Sequence, residues 1–257
     1  MIVEREFLRR IAKAAAAETL PRFRAHGDVS NKLSGGFDPV TEADRMAERA
    51  IRALIEEQFP DDAILGEEFG IKEGTSGREW VIDPIDGTRA FISGIPLWGT
   101  LVGLKVDGRA VAGMMAQPFT GELYVSDGSA GFYEGPGGER RLATRKTSAL
   151  AQATVCTTTP SLFLDGKRAL YDAVEAASQL ARYGTDCYAY AMLASGNVDL
   201  VIESGLQAYD IVALIPVVEA AGGVITDWQG GRAEQGGDVI AAATPELHAE
   251  ALALLRS

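Results

Sequence analysis

Apolar residues at helical spacing predict two helices at the start of the chain. Over residues 2–24, apolar positions recur every three or four residues, with charged residues on the opposite face. A loop over residues 27–39 follows, and Thr41 opens a second helix that ends near Phe59 and Pro60. The buried face of this second helix is formed by Ala47, Ala50, Ile51, Leu54 and Ile55.

Short apolar runs then predict a meander of strands, at 63–65, 80–82, 100–106, 110–116 and 122–125. Asp107-Gly108 is typical of a hairpin turn, and the glycine-rich residues 128–138 indicate a surface excursion. Beyond residue 144 the pattern alternates between extended segments and helices. The extended segments are 153–157, 198–203, 224–226 and 239–242. The helices are 167–180, 189–195, 209–221 and one that begins after Thr244. We therefore expect an α+β lobe over residues 1–143 and an α/β lobe over residues 144–257.

Composition narrows the class of protein and its partners. The 257 residues are 47% hydrophobic and 23% charged, enough for one large domain or two packed lobes. A net charge of −12 would repel a phosphate backbone, so we expect no nucleic-acid polymer as a partner. Cys156 and Cys187 lack disulfide-framework or zinc-site spacing, and no apolar run is long enough to span a membrane. These features favour a cytoplasmic protein without a membrane partner.

Candidate chemistry concentrates in residues 80–88, where an apolar strand delivers Asp83 and Asp86 at its end. Pro84 favours extended backbone between them, and Gly87 permits a tight turn. Converging carboxylates repel each other unless one is protonated or a hard cation lies between them. For Asp83 and Asp86 alone, an ordinary turn at a strand end is the alternative interpretation.

Further acids lie where they could complete an oxygen-only shell suited to Mg²⁺, namely Glu67 and Glu68 upstream and Asp210 downstream. A helix beginning after Gly87 would offer free N–H groups to a phosphate, with the Thr88 hydroxyl as a further donor. Adjacent sites for a cation and a phosphate are what metal-assisted phosphoester hydrolysis requires.

Three motifs in order resemble those of the inositol monophosphatase-like, Mg²⁺-dependent phosphatases. They are Gly66-Glu67-Glu68, the run from Asp83 to Thr88, and Tyr209-Asp210 followed by residues 219–223. Tyr209 stands where the family usually has tryptophan. The resemblance spans residues 41–223 and implies a layered αβαβα sandwich, two or three Mg²⁺ ions per site, a small phosphate ester as substrate, and a homodimer.

The resemblance also implies roles for matching positions. The metal ligands would be Glu67, Asp83, the Ile85 carbonyl, Asp86 and Asp210. Gly87 and Thr88 would hold the phosphate, and Glu67, Thr88 and Asp44 would form the catalytic set, with Asp44 accepting a hydrogen bond from Thr88. Thr41 and Asp44 also fit a capping box. There are alternatives to metal binding for these acids. Glu67 and Glu68 could be an ordinary solvated pair in a loop, and Asp210 could only stabilise a helix N-terminus through the helix dipole.

The substrate-facing loop would include Asp186, where inositol-specific members commonly carry a small residue, and Glu203 and Asp210 would also contact substrate. Glu203 does not discriminate between substrates, because inositol-type members carry an acid at the same spacing before the last metal ligand. Asp186 and Glu203 match the positive charges of a cationic substrate, and the Asp86–Gly94 and Asp186–Tyr190 runs resemble the histidinol-phosphatase branch of the family. We therefore expect hydrolysis of L-histidinol phosphate. Inositol phosphate, a sugar bisphosphate or a 3′-phosphonucleotide are alternatives, as is a catalytically silent metal-binding regulatory protein. His26 and His248 are interpreted as surface residues, and Cys187 as a buried small residue.

Overall fold

The computed structural model describes residues 2–25, 29–31 and 39–257. Its α-helices are α1 (Arg5–Thr19), α2 (Glu42–Gln58), α3 (Thr88–Ile92), α4 (Lys167–Ala177), α5 (Asp186–Ala194), α6 (Ala208–Ile211), α7 (Leu214–Ala220) and α8 (Pro245–Leu255). Single 3-10 turns lie at Leu150–Gln152 and Pro160–Leu162. No helix in this part of the chain is both long and apolar enough to cross a bilayer.

The strands before residue 142 are β1 (Val29–Asn31), β2 (Pro39–Thr41), β3 (Ala63–Gly66), β4 (Gly70–Lys72), β5 (Arg78–Asp86), β6 (Gly99–Val106), β7 (Arg109–Gln117), β8 (Glu122–Ser126), β9 (Gly131–Gly135) and β10 (Gly138–Arg141). The later strands are β11 (Thr154–Thr157), β12 (Leu180–Tyr183), β13 (Leu200–Leu206), β14 (Val224–Asp227) and β15 (Gly237–Ala242). Among the described residues, β1 and β2 pair with each other, and the others form two larger sheets.

The eight-stranded sheet has the order β10-β9-β8-β7-β6-β5-β3-β4 and is antiparallel except where β3 runs parallel to β5. The five-stranded sheet has the order β12-β11-β13-β15-β14, with β11 parallel to both of its neighbours. The first sheet uses only residues before 142 and the second only residues after 153. The division of the chain into two lobes at residue 143 stays a prediction.

Three clusters of buried hydrophobic side chains pack the helices and sheets together in five layers. Phe7 and Ile11 of α1 and Ile51 of α2 cover one face of the large sheet. Helices α5, α6 and α7 lie between the two sheets, in a cluster that joins strands β5 to β9 to strands β11, β13, β14 and β15. Helices α4 and α8 cover the outer face of the small sheet through Tyr171 and Leu247. The expected αβαβα sandwich is confirmed.

Local sequence signals explain several element boundaries. Thr41 caps α2, where its hydroxyl accepts the N–H of Ala43, and Thr244 caps α8 in the same manner through Leu247. The hairpin at residues 107–108 is confirmed. Asp107 and Gly108 have φ values of 48° and 79°, the left-handed pair that suits the twist of a two-residue hairpin.

Other elements differ from the sequence prediction. Residues 128–138 are not a surface excursion, because β9 and β10 extend the large sheet there. The helix predicted at residues 167–180 ends at Ala177, and strand β12 begins at Leu180. Strand β4 was not predicted, and the helix predicted at residues 209–221 is divided into α6 and α7. β10, β12 and β4 lie at sheet edges and are largely exposed, so they lack the alternating apolar pattern that reveals a half-buried strand.

The first helix is also shorter than predicted, since α1 ends at Thr19. Within the predicted loop 27–39, residues 29–31 pair with residues 39–41. His26 lies outside the described residues. The interpretation of His248 as a surface residue is wrong, because its ring is buried against β14 with Nε2 2.8 Å from the Thr226 hydroxyl. Cys187 is buried, as predicted.

Candidate active site

A bulge in β5 presents the two aspartates of the central motif. Asp83 pairs with Leu101 of β6 and Asp86 pairs with Gly99, so β5 carries one residue more than its partner across this stretch. Pro84 has no N–H to give to the ladder, which favours the irregularity here. The Asp83 carboxylate accepts the Ile85 N–H at 3.0 Å, and the Thr100 hydroxyl donates to the Pro84 carbonyl at 2.8 Å. These bonds fix the backbone of the bulge.

Three carboxylates meet at the end of β5. Oxygen atoms of Asp83, Asp86 and Asp210 all lie within 4.8 Å of one another. Burial raises the pKa of Asp83 well above its usual value, and the charges of Glu67, Asp86 and Asp210 raise it further. A hydrogen bond with Glu67 also contributes to this shift, so Glu67 belongs to the same cluster. Four carboxylates at one point, with oxygen donors only, fit a hard divalent cation.

Backbone hydrogen bonds orient two of these ligands. The Cys187 N–H at the start of α5 donates to Asp86 Oδ2 at 2.7 Å, and the Gln207 N–H donates to Asp210 Oδ2 at 2.6 Å. Burial raises the pKa of Asp86 well above its usual value, and the charges of Asp186 and Asp210 add to the shift. Both aspartates are therefore held in place even though like charges surround them.

Glu48, which the sequence analysis missed, supports the turn that carries Glu67. Its side chain is fully buried on α2, and its Oε2 accepts the Glu68 N–H at 2.7 Å. Its Oε1 accepts from the Phe69 N–H at 3.2 Å and from Arg52 Nε at 2.7 Å. A Cβ on Gly66 would overlap the Glu48 carboxylate, so only glycine fits there. A charged residue on the buried face of an otherwise amphipathic helix is the sequence signal that could have identified Glu48.

The turn after β5 leads directly into a helix that begins after Gly87. Gly87 is the N-cap of α3 with φ of 81°, and a Cβ there would lie 2.9 Å from the Leu97 carbonyl oxygen. The Thr88 hydroxyl donates to the Ile85 carbonyl at 3.1 Å. Glycine at position 87 therefore satisfies both the left-handed backbone and the close approach of residue 97.

Asp44 lies at the start of α2 and forms the capping box with Thr41. Its Oδ2 accepts the Thr41 N–H at 2.8 Å and the Thr41 hydroxyl at 2.6 Å. Burial raises the pKa of Asp44 to about 6, with a further contribution from the charge of Glu67. Because Thr88 donates its one hydroxyl proton to Ile85, its expected bond to Asp44 is not made in this arrangement. The catalytic pairing of Asp44 with Thr88 stays a prediction.

Two further acids extend the site beyond the metal cluster. Asp186, the first residue of α5, and Glu203 of β13 line a cleft of about 320 Å³ together with Gly87, Thr88 and Asp210. Glu203 is 2% exposed, and burial raises its pKa to about 8 although Thr157 and Thr158 donate to it. Burial also raises the pKa of Asp186. All five residues predicted for substrate binding, Gly87, Thr88, Asp186, Glu203 and Asp210, therefore line one cleft, and their roles stay predictions.

Thr158 and Arg89 also line this cleft and were not singled out from the sequence. The Thr158 N–H and hydroxyl donate to Glu203 at 2.7 and 3.0 Å. Thr158 directly follows β11, a parallel strand, and ligands commonly bind at the carboxyl ends of parallel strands. The run of three threonines at residues 157–159, which begins on the last residue of that strand, was the available signal.

Comparison with known proteins agrees with this geometry. A model of the inositol monophosphatase family matches residues 4–257. The chain is 42% identical over 253 residues to the chloroplastic bifunctional phosphatase IMPL2 of Arabidopsis thaliana, which covers 94% of this chain and 72% of that protein. It is 35% identical over 256 residues to a histidinol-phosphatase of Streptomyces coelicolor, covering 95% of this chain and 94% of that protein.

The fold comparison gives the same family. The structure of an inositol monophosphatase from Zymomonas mobilis superposes with a TM-score of 0.86 at 39% identity, covering 98% of this chain and 97% of that one. The matched length extends from α1 to the last residue of the chain, and so includes every acid of the site. The chain therefore belongs to the inositol monophosphatase family and is a metal-dependent phosphomonoester hydrolase.

Proposed function

We propose that the protein is a Mg²⁺-dependent histidinol-phosphatase, which hydrolyses L-histidinol phosphate to L-histidinol and phosphate in histidine biosynthesis. The observation that carries the proposal is the placement of Asp186 and Glu203. Both acids line the cleft next to the phosphate turn, yet neither belongs to the cluster of Asp83, Asp86 and Asp210. Acids left over from metal binding favour a leaving alcohol that carries positive charge. The names of several relatives, including the Streptomyces coelicolor protein, support this choice.

Mg²⁺ would be held by the carboxylates of Glu67, Asp83, Asp86 and Asp210 and by the Ile85 carbonyl. When bound, it supplies neutralisation of the phosphate oxygens and activation of a water molecule. Gly87 and Thr88 would bind the phosphate through the N–H groups at the start of α3, and Thr88 with Asp44 and Glu67 would orient the attacking water. Asp186 and Glu203 would bind the leaving alcohol, with Asp210 at the border between cation and substrate.

An inositol-1-monophosphatase is the second candidate, and the state of Glu203 supports it. Because burial raises the pKa of this carboxyl to about 8, Glu203 is largely protonated near neutral pH in the absence of a cationic ligand. A protonated carboxyl can exchange hydrogen bonds with the hydroxyls of a neutral polyol. The Zymomonas mobilis neighbour is named as an inositol monophosphatase. Sugar bisphosphates and 3′-phosphonucleotides are the weaker alternatives, and the catalytically silent regulatory role is set aside because the chain belongs to a family of phosphatases.

A phosphate-release assay on purified protein tests the proposal. L-histidinol phosphate, inositol 1-phosphate, a sugar bisphosphate and a 3′-phosphonucleotide are compared by kcat/KM, each with Mg²⁺ and with excess chelator. The proposal requires L-histidinol phosphate to be turned over fastest and every activity to disappear with chelator. Faster turnover of inositol 1-phosphate would assign the second candidate, and no turnover of L-histidinol phosphate or inositol 1-phosphate would refute both candidates.

Asp186→Asn tests the substrate acid in the same assay. Asparagine is preferable to alanine, because residue 186 has φ of 42° and asparagine tolerates left-handed backbone. Asp107→Asn is the matched control, since Asp107 has φ of 48° in a hairpin of the large sheet and does not line the cleft. We expect Asp186→Asn alone to lower the preference for L-histidinol phosphate. Equal loss on all esters would contradict the assignment.

We further propose that the protein is cytoplasmic, as the spacing of its two cysteines suggests, and that it forms a homodimer, as the family resemblance suggests. Sedimentation equilibrium with and without Mg²⁺ measures the mass of the assembly in solution. A mass equal to that of one chain at micromolar concentration would contradict the dimer.

A further inference from the structure

A small recess lies directly beside the acids of the metal cluster. Its volume is about 20 Å³, which is the space of roughly one water molecule. Its lining comprises Asp86, Thr158, Asp186, Cys187, Tyr190, Glu203, Leu206 and Asp210. The wider cleft of about 320 Å³ shares six of these residues, so the recess is a side pocket of the cleft.

Tyr190 contributes an unusual group to this recess. Its side chain is 2% exposed, and its hydroxyl has no hydrogen-bond partner within the described part of the chain. Burial raises the pKa of the phenol, and the charges of Glu203, Asp86 and Asp210 raise it further, so the phenol lies near these acids. A buried hydroxyl without a partner is costly. Tyr171 has such a hydroxyl too, but among the described residues Tyr190 is the one with an unpartnered buried polar atom that also lines the recess, where a ligand would satisfy it.

We propose that the recess is the subsite for a primary ammonium group of the substrate, and that Tyr190 is a specificity-determining residue that accepts a hydrogen bond from it. The ammonium would be carried on the carbon next to the ester CH₂. Asp186 and Glu203 would supply the opposite charge. This inference rests on the proposed function and assigns which of the two basic groups of histidinol enters the recess.

The imidazole, which is the other basic group of histidinol, is too large for the recess. An ammonium is close to water in size, whereas an imidazole ring has five ring atoms and needs the wider cleft. Position gives the same answer, because the recess shares Asp86 and Asp210 with the metal cluster. A group that fills it must lie within a few bonds of the ester oxygen. In histidinol phosphate the ammonium satisfies this condition, and the imidazole lies one methylene farther away.

Hydrogen-bonding capacity also fits an ammonium. This group has three donors, and the recess offers a phenol oxygen and the carboxylates of Asp186 and Glu203 as acceptors. A substrate without the amine would leave these buried groups unpaired, which is the strongest route to discrimination by a binding site. The recess would therefore select amino alcohol phosphates over otherwise identical esters.

The test compares L-histidinol phosphate with its desamino analogue, 3-(imidazol-4-yl)propyl phosphate, on wild type and Tyr190→Phe. We expect wild type to prefer the amine by at least about ten-fold in kcat/KM. We expect Tyr190→Phe to lose about ten-fold on the amine, mainly through KM, and less than about two-fold on the analogue. Tyr171→Phe is the matched control, because Tyr171 is an equally buried phenol in the cluster around α4 and α8. It should alter neither substrate.

Binding of the product gives a readout without turnover. Calorimetry should show weaker binding of L-histidinol to Tyr190→Phe than to Tyr171→Phe, with an unchanged Mg²⁺ concentration for half-maximal activity in both. Equal loss on both esters would place Tyr190 in phosphate binding or folding and overturn the proposal. No loss on either ester would overturn it as well.

Failure of the proposed function is distinguishable from failure of this subsite. If wild type does not hydrolyse L-histidinol phosphate, the proposed function fails. The subsite is then tested on wild type with 2-aminopropyl phosphate against propyl phosphate, which needs no variant. A preference for the amine in that pair supports the recess, and equal rates refute it.

Discussion

Glu48 is buried and is not one of the predicted metal ligands. Its substitution therefore tests whether the site depends on the fold of the turn that carries Glu67. Glu48 accepts the N–H groups of Glu68 and Phe69 and the guanidinium of Arg52. Arg52 in turn donates to the Gly70 carbonyl, so one ion pair closes both ends of the turn that carries Glu67. Glu48→Ala removes the acceptor for three donors. It also leaves the guanidinium of Arg52, whose side chain is 12% exposed, without a carboxylate partner.

Breaking a buried ion pair by removing one partner costs about 3–5 kcal/mol, and the two N–H groups lose their acceptor as well. Water can enter the space left by the side chain, so we take about 4 kcal/mol as the loss in free energy of unfolding. For a chain of this size, that corresponds to a fall in Tm of roughly 12 °C. Glu48→Gln keeps one acceptor oxygen and the volume, so about half of this effect is expected.

Loosening the turn should also affect cation binding, because residues that orient metal ligands typically change metal affinity by about 10–100-fold. We therefore expect Glu48→Ala to raise the Mg²⁺ concentration for half-maximal phosphate release by at least about ten-fold. Calorimetric Tm in chelator and the Mg²⁺ titration are measured on the same samples. Glu56→Ala, an exposed glutamate on the same helix, is the control. If Glu48→Ala and Glu56→Ala match in Tm and in Mg²⁺ dependence, the role assigned to Glu48 is refuted.

Three further predictions follow from the site and its supporting sheet. Asp83→Asn should abolish phosphate release, yet its metal-free Tm should equal or exceed that of wild type, because a buried carboxylate repelled by its neighbours is replaced by a neutral isostere; a lower Tm would contradict this. Burial raises the pKa of Asp44 to about 6 and that of Glu203 to about 8, so the folded protein keeps protons that the unfolded chain has released. The Tm in chelator should therefore fall as pH rises from about 5 to about 8, less steeply in Glu203→Gln, and a Tm that rises over this range would refute the reasoning. Gly113→Ala should lower the free energy of unfolding by about 1–3 kcal/mol in urea titrations, because its Cβ would overlap the Ala213 carbonyl, and an unchanged midpoint would show that α7 can shift freely.

The elements with regular burial were predictable from sequence, and those without it were not. Helix α2 and strands β6 and β7 have strong apolar patterns and recognisable ends, so their positions follow from local physics. Strands β10 and β12 are exposed at sheet edges, and only pairing with a neighbour makes them strands. That pairing depends on contacts between distant residues, which no local pattern encodes.

The site shows the same limit. Asp83, Asp86 and Gly87 could be identified because the bulge and turn that use them are local in sequence. Glu48 could be noticed as an acid on the buried face of α2, but its partners at residues 68 and 69 could not be predicted from that pattern. The place of Tyr190 in the recess depends on residues distant in sequence, such as Asp86 and Glu203. His248 illustrates the converse error, since a polar residue remote from every motif is buried by the packing of α8 on β14.

The acids of the site come from two adjacent layers of the sandwich. Asp83 and Asp86 lie at the end of a strand of the large sheet, whereas Asp210 belongs to α6 in the helical layer between the two sheets. A cation held by all three would link the large sheet to that middle layer. A ligand present at one hundred times its dissociation constant stabilises the state that binds it by about 2.7 kcal/mol. Depletion of the ion would thus lower the stability of the fold at the same time as it stops turnover. The metal-free protein would then be more susceptible to proteolysis than the metal-bound enzyme.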